Sequence, residues 1–407
     1  MTVLPHARPP LEVADVIRQH GADFVARHGG WLTSAQRQAL RDLAACRTAA
    51  LGGHRQQCLD CGHERIAYNS GRNRHCPKCQ ALSRARWLAR AVESLLPVDY
   101  HHVVFTPPHE VADLALANPG PLYQALFQAA AATLRDVAAN RRWLGAAPGV
   151  LLVLHTWGQN LHHHPHVHGV VTGGGLSCDA HGVVEATPRW VSCRPGFFLA
   201  VRVLNRVFRG KYLELLRRAF ATKQLRFPGS LAALRAAVVF AGWLASLRHK
   251  EWVVYVKPPF GGPKQVLKYL ARYTHRVAIS NARLLTLADG RVTFHYRGYA
   301  DGHKPETMTV TADEFLRRFV QHVLPKGFVK IRHYGLLANR RREELLRQCR
   351  RLLLAAAVPP GVSEPARREV VVEPVCERCC PHCGSRRLAV RDLPREEMVP
   401  GGLGDTS

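Results

Sequence analysis

His166 and His168 stand two residues apart in the run His162-His163-His164-Pro165-His166-Val167-His168. On a strand, residues i and i+2 share a face. Two imidazoles placed this way can chelate a divalent cation and leave positions open for substrate, while Val167 turns to the opposite, apolar face. A third ligand is expected from a neighbouring strand. Gln159 and Asn160, just upstream, are the nearest polar side chains. His162, His163 and His164 read as a surface cluster.

A second constellation lies in Lys268-Tyr269-Leu270-Ala271-Arg272-Tyr273-Thr274-His275-Arg276. On a helix, Tyr269 and Tyr273 are neighbours. They sit on the border between an apolar arc (Val266, Leu270, Ala271, Thr274) and a basic arc (Lys268, Arg272, His275, Arg276). Alone, such a pair is most often packing. Beside a metal site it gains chemistry. A phenol is a poor nucleophile near neutral pH, and a cation on a phosphate with basic groups nearby stabilises the phenolate and the transition state. The combination points to phosphoryl transfer on DNA through a phosphotyrosine.

The cysteines form a third group. Cys58 and Cys61, then Cys76 and Cys79, are two CxxC pairs whose four thiolates suit tetrahedral zinc. Arg72, Arg74 and Lys78 surround them and read as phosphate contacts. Cys376, Cys379, Cys380 and Cys383 could form a second zinc site, although adjacent Cys379 and Cys380 do not easily both point inward. Cys46, Cys178, Cys193 and Cys349 are isolated and read as core or surface residues.

The elements that must hold these groups are legible in outline. Residues 11–50 read as two helices, with Thr33 and Gln36 as a capping box. Residues 54–80 read as a Cys-punctuated loop region, and 83–96 as a helix. Strands are expected at 101–106, 150–157, 165–172 and 252–256, and helices at 197–221, 230–248, 263–276, 312–323 and 337–356. Ala288-Asp289-Gly290 is a turn between two strands. The fold class is α+β: an N-terminal helical zinc-ribbon domain (1–97), a catalytic domain with a central antiparallel sheet flanked by helices (98–356), a linker (357–375) and a small Cys-rich segment and tail (376–407).

The chain has 407 residues, with 57 Lys+Arg against 30 Asp+Glu, a net charge of +27. That surplus exceeds what solubility requires and indicates a polyanionic partner. The 47% hydrophobic content excludes a wholly disordered chain. No apolar run reaches the ~18 residues of a membrane span, and the first ten residues lack a signal-peptide core. A cytoplasmic location with no membrane partner is expected.

With these motifs in view, the sequence resembles the two-tyrosine HUH transposases of bacterial insertion sequences, the IS-ninety-one type. The resemblance runs from Cys-Arg-Thr-Ala-Ala-Leu-Gly-Gly-His (46–54) and Asn73-Arg74-His75-Cys76-Pro77-Lys78-Cys79-Gln80, through Phe105-Thr106-Pro107-Pro108, Trp157-Gly158-Gln159-Asn160 and the His strand. It continues through the Tyr269–Tyr273 segment to Leu324-Pro325-Lys326-Gly327-Phe328 and Ile331-Arg332-His333-Tyr334-Gly335. It implies an HUH-endonuclease catalytic domain in which His166 and His168 bind Mg2+ or Mn2+, with Gln159 in the third-ligand position. Tyr269 and Tyr273 are then the nucleophile pair, and Zn2+ is structural. The implied partners are single-stranded DNA of the element's ends and target DNA, processed by rolling-circle transposition near the bacterial nucleoid. One departure is visible. Many relatives carry a further Cys where this chain has Gly71.

Three other classes compete with this reading, one of them a metal-dependent hydrolase in which the tyrosines are structural and no covalent intermediate forms. A non-catalytic zinc-dependent DNA-binding protein would bind ends without cutting. A replication initiator or relaxase would share the chemistry, but the Cys ribbon and the segment 334–338 favour a transposase.

Overall fold

The computed structural model describes residues 10–196, 198–257, 266, 277–298, 304–357 and 379–395. In chain order the elements are α1 (Val13–His28), α2 (Ser34–Ala45), β1 (Gly53–Cys58), β2 (Glu64–Tyr68), α3 (Gln80–Glu93), β3 (Tyr100–Thr106), α4 (Ala112–Ala117), α5 (Pro119–Ala139), β4 (Ala146–Trp157), β5 (His163–Ser177), β6 (Trp190–Ser192), α6 (Val201–Ala221), α7 (Ala237–Leu247) and β7 (Val253–Lys257). They continue as β8 (Leu284–Ala288), β9 (Arg291–Arg297), β10 (Pro305–Thr311), α8 (Ala312–Val320), β11 (Ile331–Gly335), α9 (Arg342–Ala357) and β12 (Leu388–Leu393). The helix expected at 263–276 and the linker expected at 357–375 lie outside the described residues, apart from Val266 and Ala357.

The chain divides into two compact units, and the division is discontinuous in sequence. The first takes the described residues up to Leu82, Val277–Val323 and the segment from Cys379; the second takes those of Ser83–Arg276 and Leu324–Gly361. This differs from the linear division expected from sequence. The C-terminal segment is no separate appendage, because β12 pairs antiparallel with β1 from Gly53↔Leu393 to Cys58↔Leu388. The stretch 54–80, expected as loop, contributes the β1–β2 hairpin to that same sheet.

In the first unit, α1 and α2 start on local signals. Thr33 accepts from the Gln36 amide while the Gln36 side chain accepts from the Thr33 amide, so two orphan donors of α2 are satisfied reciprocally. Long-range bonds then attach these helices to the β8–β10 sheet and α8. The Val13 amide donates to Asn281 Oδ1, His28 Nε2 lies 2.9 Å from the Asp313 carboxylate, and Gln36 Nε2 donates to the Val320 carbonyl. Asp289 and Gly290 both take positive φ, 51° and 67°, as a two-residue hairpin turn requires.

The second unit is built on an antiparallel sheet of order β11-β4-β5-β3-β7, with β6 also pairing β5. Side chains alternate between its faces. Val103, Phe105, Leu152, Leu154 and Val167 join the core made with α5, α6 and α7. Tyr100, Leu151, Val153 and Val170 face the other way, into a second core with Leu345, Leu346 and Cys349 of α9. Val266 is buried in that second core. Among the described residues, no single helix is long and apolar enough to cross a membrane.

Candidate metal centres

The second face of the sheet carries the histidines. His166 and His168 follow the alternation of Val170 on β5, and His155 follows that of Leu151 and Val153 on β4. Antiparallel register puts His155 directly opposite His166. The ring nitrogens of His155, His166 and His168 all lie within 4.8 Å of one another.

Hydrogen bonds orient two of these rings. His166 Nδ1 lies 2.8 Å from the His164 carbonyl, to which it donates. His168 Nδ1 lies 3.0 Å from Nε2 of His102, a buried residue on β3. Both contacts commit Nδ1, and the two Nε2 atoms face each other at 3.1 Å. A metal-ligating histidine characteristically has its second nitrogen held in this way. Burial pushes His102 down to about 3, which keeps it neutral and able to accept the His168 Nδ1 proton. Three imidazoles on adjacent strands, two of them with fixed tautomers, suit a divalent cation.

His155 is the residue that sequence reasoning missed. It stood inside an expected strand as one more position, and only the β4–β5 register reveals it. Gln159, the expected third ligand, lies two residues beyond the end of β4. His163 was expected on the surface. Instead its Nε2 lies 2.7 Å from the Tyr123 hydroxyl and its Nδ1 3.1 Å from the Ala112 carbonyl, and burial lowers it to about 4. Tyr269, Tyr273, Lys268, Arg272 and Arg276 lie outside the described residues.

The structure regroups the cysteines. Cys58 and Cys61 do not join Cys76 and Cys79; they meet Cys380 and Cys383. The Sγ–Sγ distances are 3.5 Å for Cys58–Cys383 and 3.6 Å for Cys61–Cys380. Four thiolates at ~2.3 Å around tetrahedral zinc stand roughly 3.8 Å apart, so these residues fit the ion. The amides of Cys61 and Asp60 hold the Cys58 thiol down to about 6, in the range of a ready ligand. Pairing of β12 with β1 is what delivers Cys380 and Cys383. Cys376 lies outside the described residues, and Cys380 and Cys383, expected to form a site within 376–383, meet Cys58 and Cys61 instead. Cys76 and Cys79 instead meet Cys46, which the sequence reading had set aside as isolated.

The expected phosphate contacts fare unequally. Arg72 is exposed. Arg74 is half-buried, and desolvation lowers its guanidinium below its ordinary value. Lys78 is tied into the fold, its Nζ 2.8 Å from the buried Glu12 carboxylate.

Comparison with known proteins shows the family. Residues 16–107 match a family model described as a transposase zinc-binding domain, and residues 149–344 match one described as "Putative transposase". The chain is a transposase of the family expected from its motifs, and its substrate is DNA. It is 50% identical to "Putative transposase y4qJ" of Sinorhizobium fredii, over 98% of this chain and 100% of that one. It is 29% identical to "Transposase for insertion sequence element IS801" of Pseudomonas savastanoi pv. phaseolicola, over 76% of this chain and 72% of that one. No solved structure matches the chain.

Proposed function

We propose that this transposase cleaves and rejoins single-stranded DNA at insertion-sequence ends in the bacterial cytoplasm, through a 5′-phosphotyrosine on Tyr269 or Tyr273. The observation that supports it most is the triad His155, His166 and His168, with Val266, three residues before Tyr269, packed in the core on that same face of the sheet. His166 and His168 would hold Mg2+ or Mn2+ with His155 as third ligand, in the place first given to Gln159. Such an ion withdraws charge from a phosphodiester and favours attack at phosphorus. Oxygen-rich substrates suit these hard cations.

The tyrosine oxygen attacks phosphorus, the bond from phosphorus to the 3′ oxygen breaks, and that oxygen leaves with a proton as a 3′-OH. The new ester stores the energy of the broken one, so rejoining by a 3′-OH needs no external source. Lys268, Arg272 and Arg276 carry the positive charge nearest in sequence to both tyrosines.

The test is a covalent-adduct assay with labelled single-stranded end DNA and Mg2+ or Mn2+ on a denaturing protein gel. A labelled band is expected for the wild type, lost in the Tyr269→Phe/Tyr273→Phe double variant and in His166→Ala. Retained binding with no adduct from any variant would identify a non-catalytic DNA-binding protein. Adduct formation only on plasmid origin sequences would identify a replication initiator or relaxase.

A further inference from the structure

The edge strand β7 carries side chains that the proposed reaction leaves unused. Val254 and Val256 pack into the core made with α5, α6 and α7. Val253, Tyr255 and Lys257 therefore project from the opposite face, the one that bears the histidines. The register fixes where they stand. His168 on β5 pairs with Val104 on β3, and Val104 pairs with Tyr255. Tyr255 thus lies in the same row across the sheet as His168, two strand spacings or roughly 10 Å away. Lys257 lies opposite His102. Tyr255 is 49% exposed, and among the described residues it has no hydrogen bond and no ring partner. Lys257 is exposed, and no carboxylate among the described residues pairs with it. Trp157 at the end of β4 is committed by contrast. It stacks on His155 with ring centroids 4.7 Å apart, and Lys330 Nζ lies 5.1 Å from its ring centroid.

We infer that Tyr255 is a stacking platform for a base of the single strand, close to the phosphodiester held at the histidines, and that Lys257 grips a phosphate beside it. The inference rests on the proposed reaction, which brings that strand to this face. An open aromatic ring on a sheet face, next to a cation, is suited to unpaired nucleotides, because every base offers a π-face and a duplex keeps those faces covered. The charge on Lys257 and the net charge of +27 favour a polyanion over a second copy of the chain as occupant. Tyr255 would then be a positioning residue. It fixes which phosphodiester lies over the metal, while the attacking oxygen comes from Tyr269 or Tyr273.

The test uses the full-length chain carrying Tyr269→Phe/Tyr273→Phe, so that no cleavage occurs. Its probes are single-stranded oligonucleotides of the element's end with 2-aminopurine at successive positions, a base whose fluorescence is quenched by stacking. Quenching is expected in one short stretch, lost in Tyr255→Ala and retained in Tyr255→Phe. Tyr255→Ala should weaken single-strand binding roughly 5–100-fold and leave duplex binding unchanged. Lys257→Gln should reduce the salt slope of single-strand binding by about one. The same quenching pattern with and without the Tyr255 ring overturns the inference, as does a loss in Tyr255→Phe equal to that in Tyr255→Ala. Self-association abolished by Tyr255→Ala with DNA binding unchanged would assign β7 to a second copy and also overturn it. Tyr255→Leu, which keeps apolar bulk on the strand without a π-face, carries the same expectation if the alanine variant fails to fold. Adduct formation by the wild type without Tyr255-dependent quenching would remove this site and leave the reaction standing. Quenching that depends on Tyr255, with no adduct from the wild type, would do the reverse.

Discussion

Nε2 of His102 on β3 lies 3.0 Å from Nδ1 of His168 on β5, the two imidazoles stacked at 11° between planes. A neutral His102 that accepts the His168 Nδ1 proton turns the Nε2 lone pair of His168 toward His166. His102 is thus a positioning residue. His102→Leu is expected to weaken Mn2+ binding about 10–100-fold, the usual cost of removing such a partner. His102→Gln, which keeps an acceptor, should lose less. Titration calorimetry on DNA-free protein measures both, and equal affinity in all three proteins would remove the role.

The register His155↔His166 brings His155 beside the His166–His168 pair, and the proposed function makes it the third ligand in place of Gln159. His155→Ala should therefore raise the Mn2+ dissociation constant well beyond the change in Gln159→Ala. The reverse ranking would return the role to Gln159.

Cys380→Ser/Cys383→Ser should release one equivalent of zinc, measured by elemental analysis, and lower the thermal midpoint of the first unit. Unchanged zinc content would mean that Cys58 and Cys61 find their partners elsewhere.

Partly buried Lys78 and exposed Arg72 separate stability from DNA affinity. Lys78→Met removes the ion pair of the buried Glu12 carboxylate, leaving it only its capping bond from the Asp15 amide, and should cost about 3 kcal/mol in chemical denaturation. Arg72→Ala should leave stability unchanged, weaken DNA binding and reduce the salt slope of the binding constant by roughly one. A Lys78→Met protein that is fully stable but binds DNA poorly would restore Lys78 as a phosphate contact.

His163 gives stability a pH dependence of known sign. Burial holds it at about 4 in the native state, below its ordinary 6.5. Between those values the unfolded chain binds a proton that the native state refuses, so stability falls as pH drops from 6.5 toward 4. The slope is at most ~1.4 kcal/mol per pH unit. Above 6.5 the residue contributes no slope. Urea unfolding of metal-free protein at several pH values should show a shallower decline in His163→Gln; identical slopes would assign the dependence to other groups.

Local signals in the sequence were legible, and pairings across long separations were not. The period of two placed His166 and His168 on one face, and the Thr33–Gln36 box and the Asp289-Gly290 turn depend only on near neighbours. His155 needed the β4–β5 register. Cys58 and Cys61 announced metal, but their true partners lie more than 300 residues away, which no spacing rule reaches. Cys46 looked isolated because it stands in no CxxC pair, although Cys79 follows it by only 33 residues. Lys78 looked like a surface charge because Glu12, its partner, is 66 residues distant.

The β1–β12 pairing also sets a timetable. Cys380 follows Cys61 by 319 residues. At ribosomal rates of about 5–20 residues per second, Cys58 and Cys61 wait roughly 15–60 s for the other half of their site. Through that interval they are two nascent thiols at the end of an edge strand and in the turn that follows it, open to whatever the ribosome's surroundings offer. Metal capture here is a late checkpoint in biogenesis, and a prematurely stopped chain would never pass it.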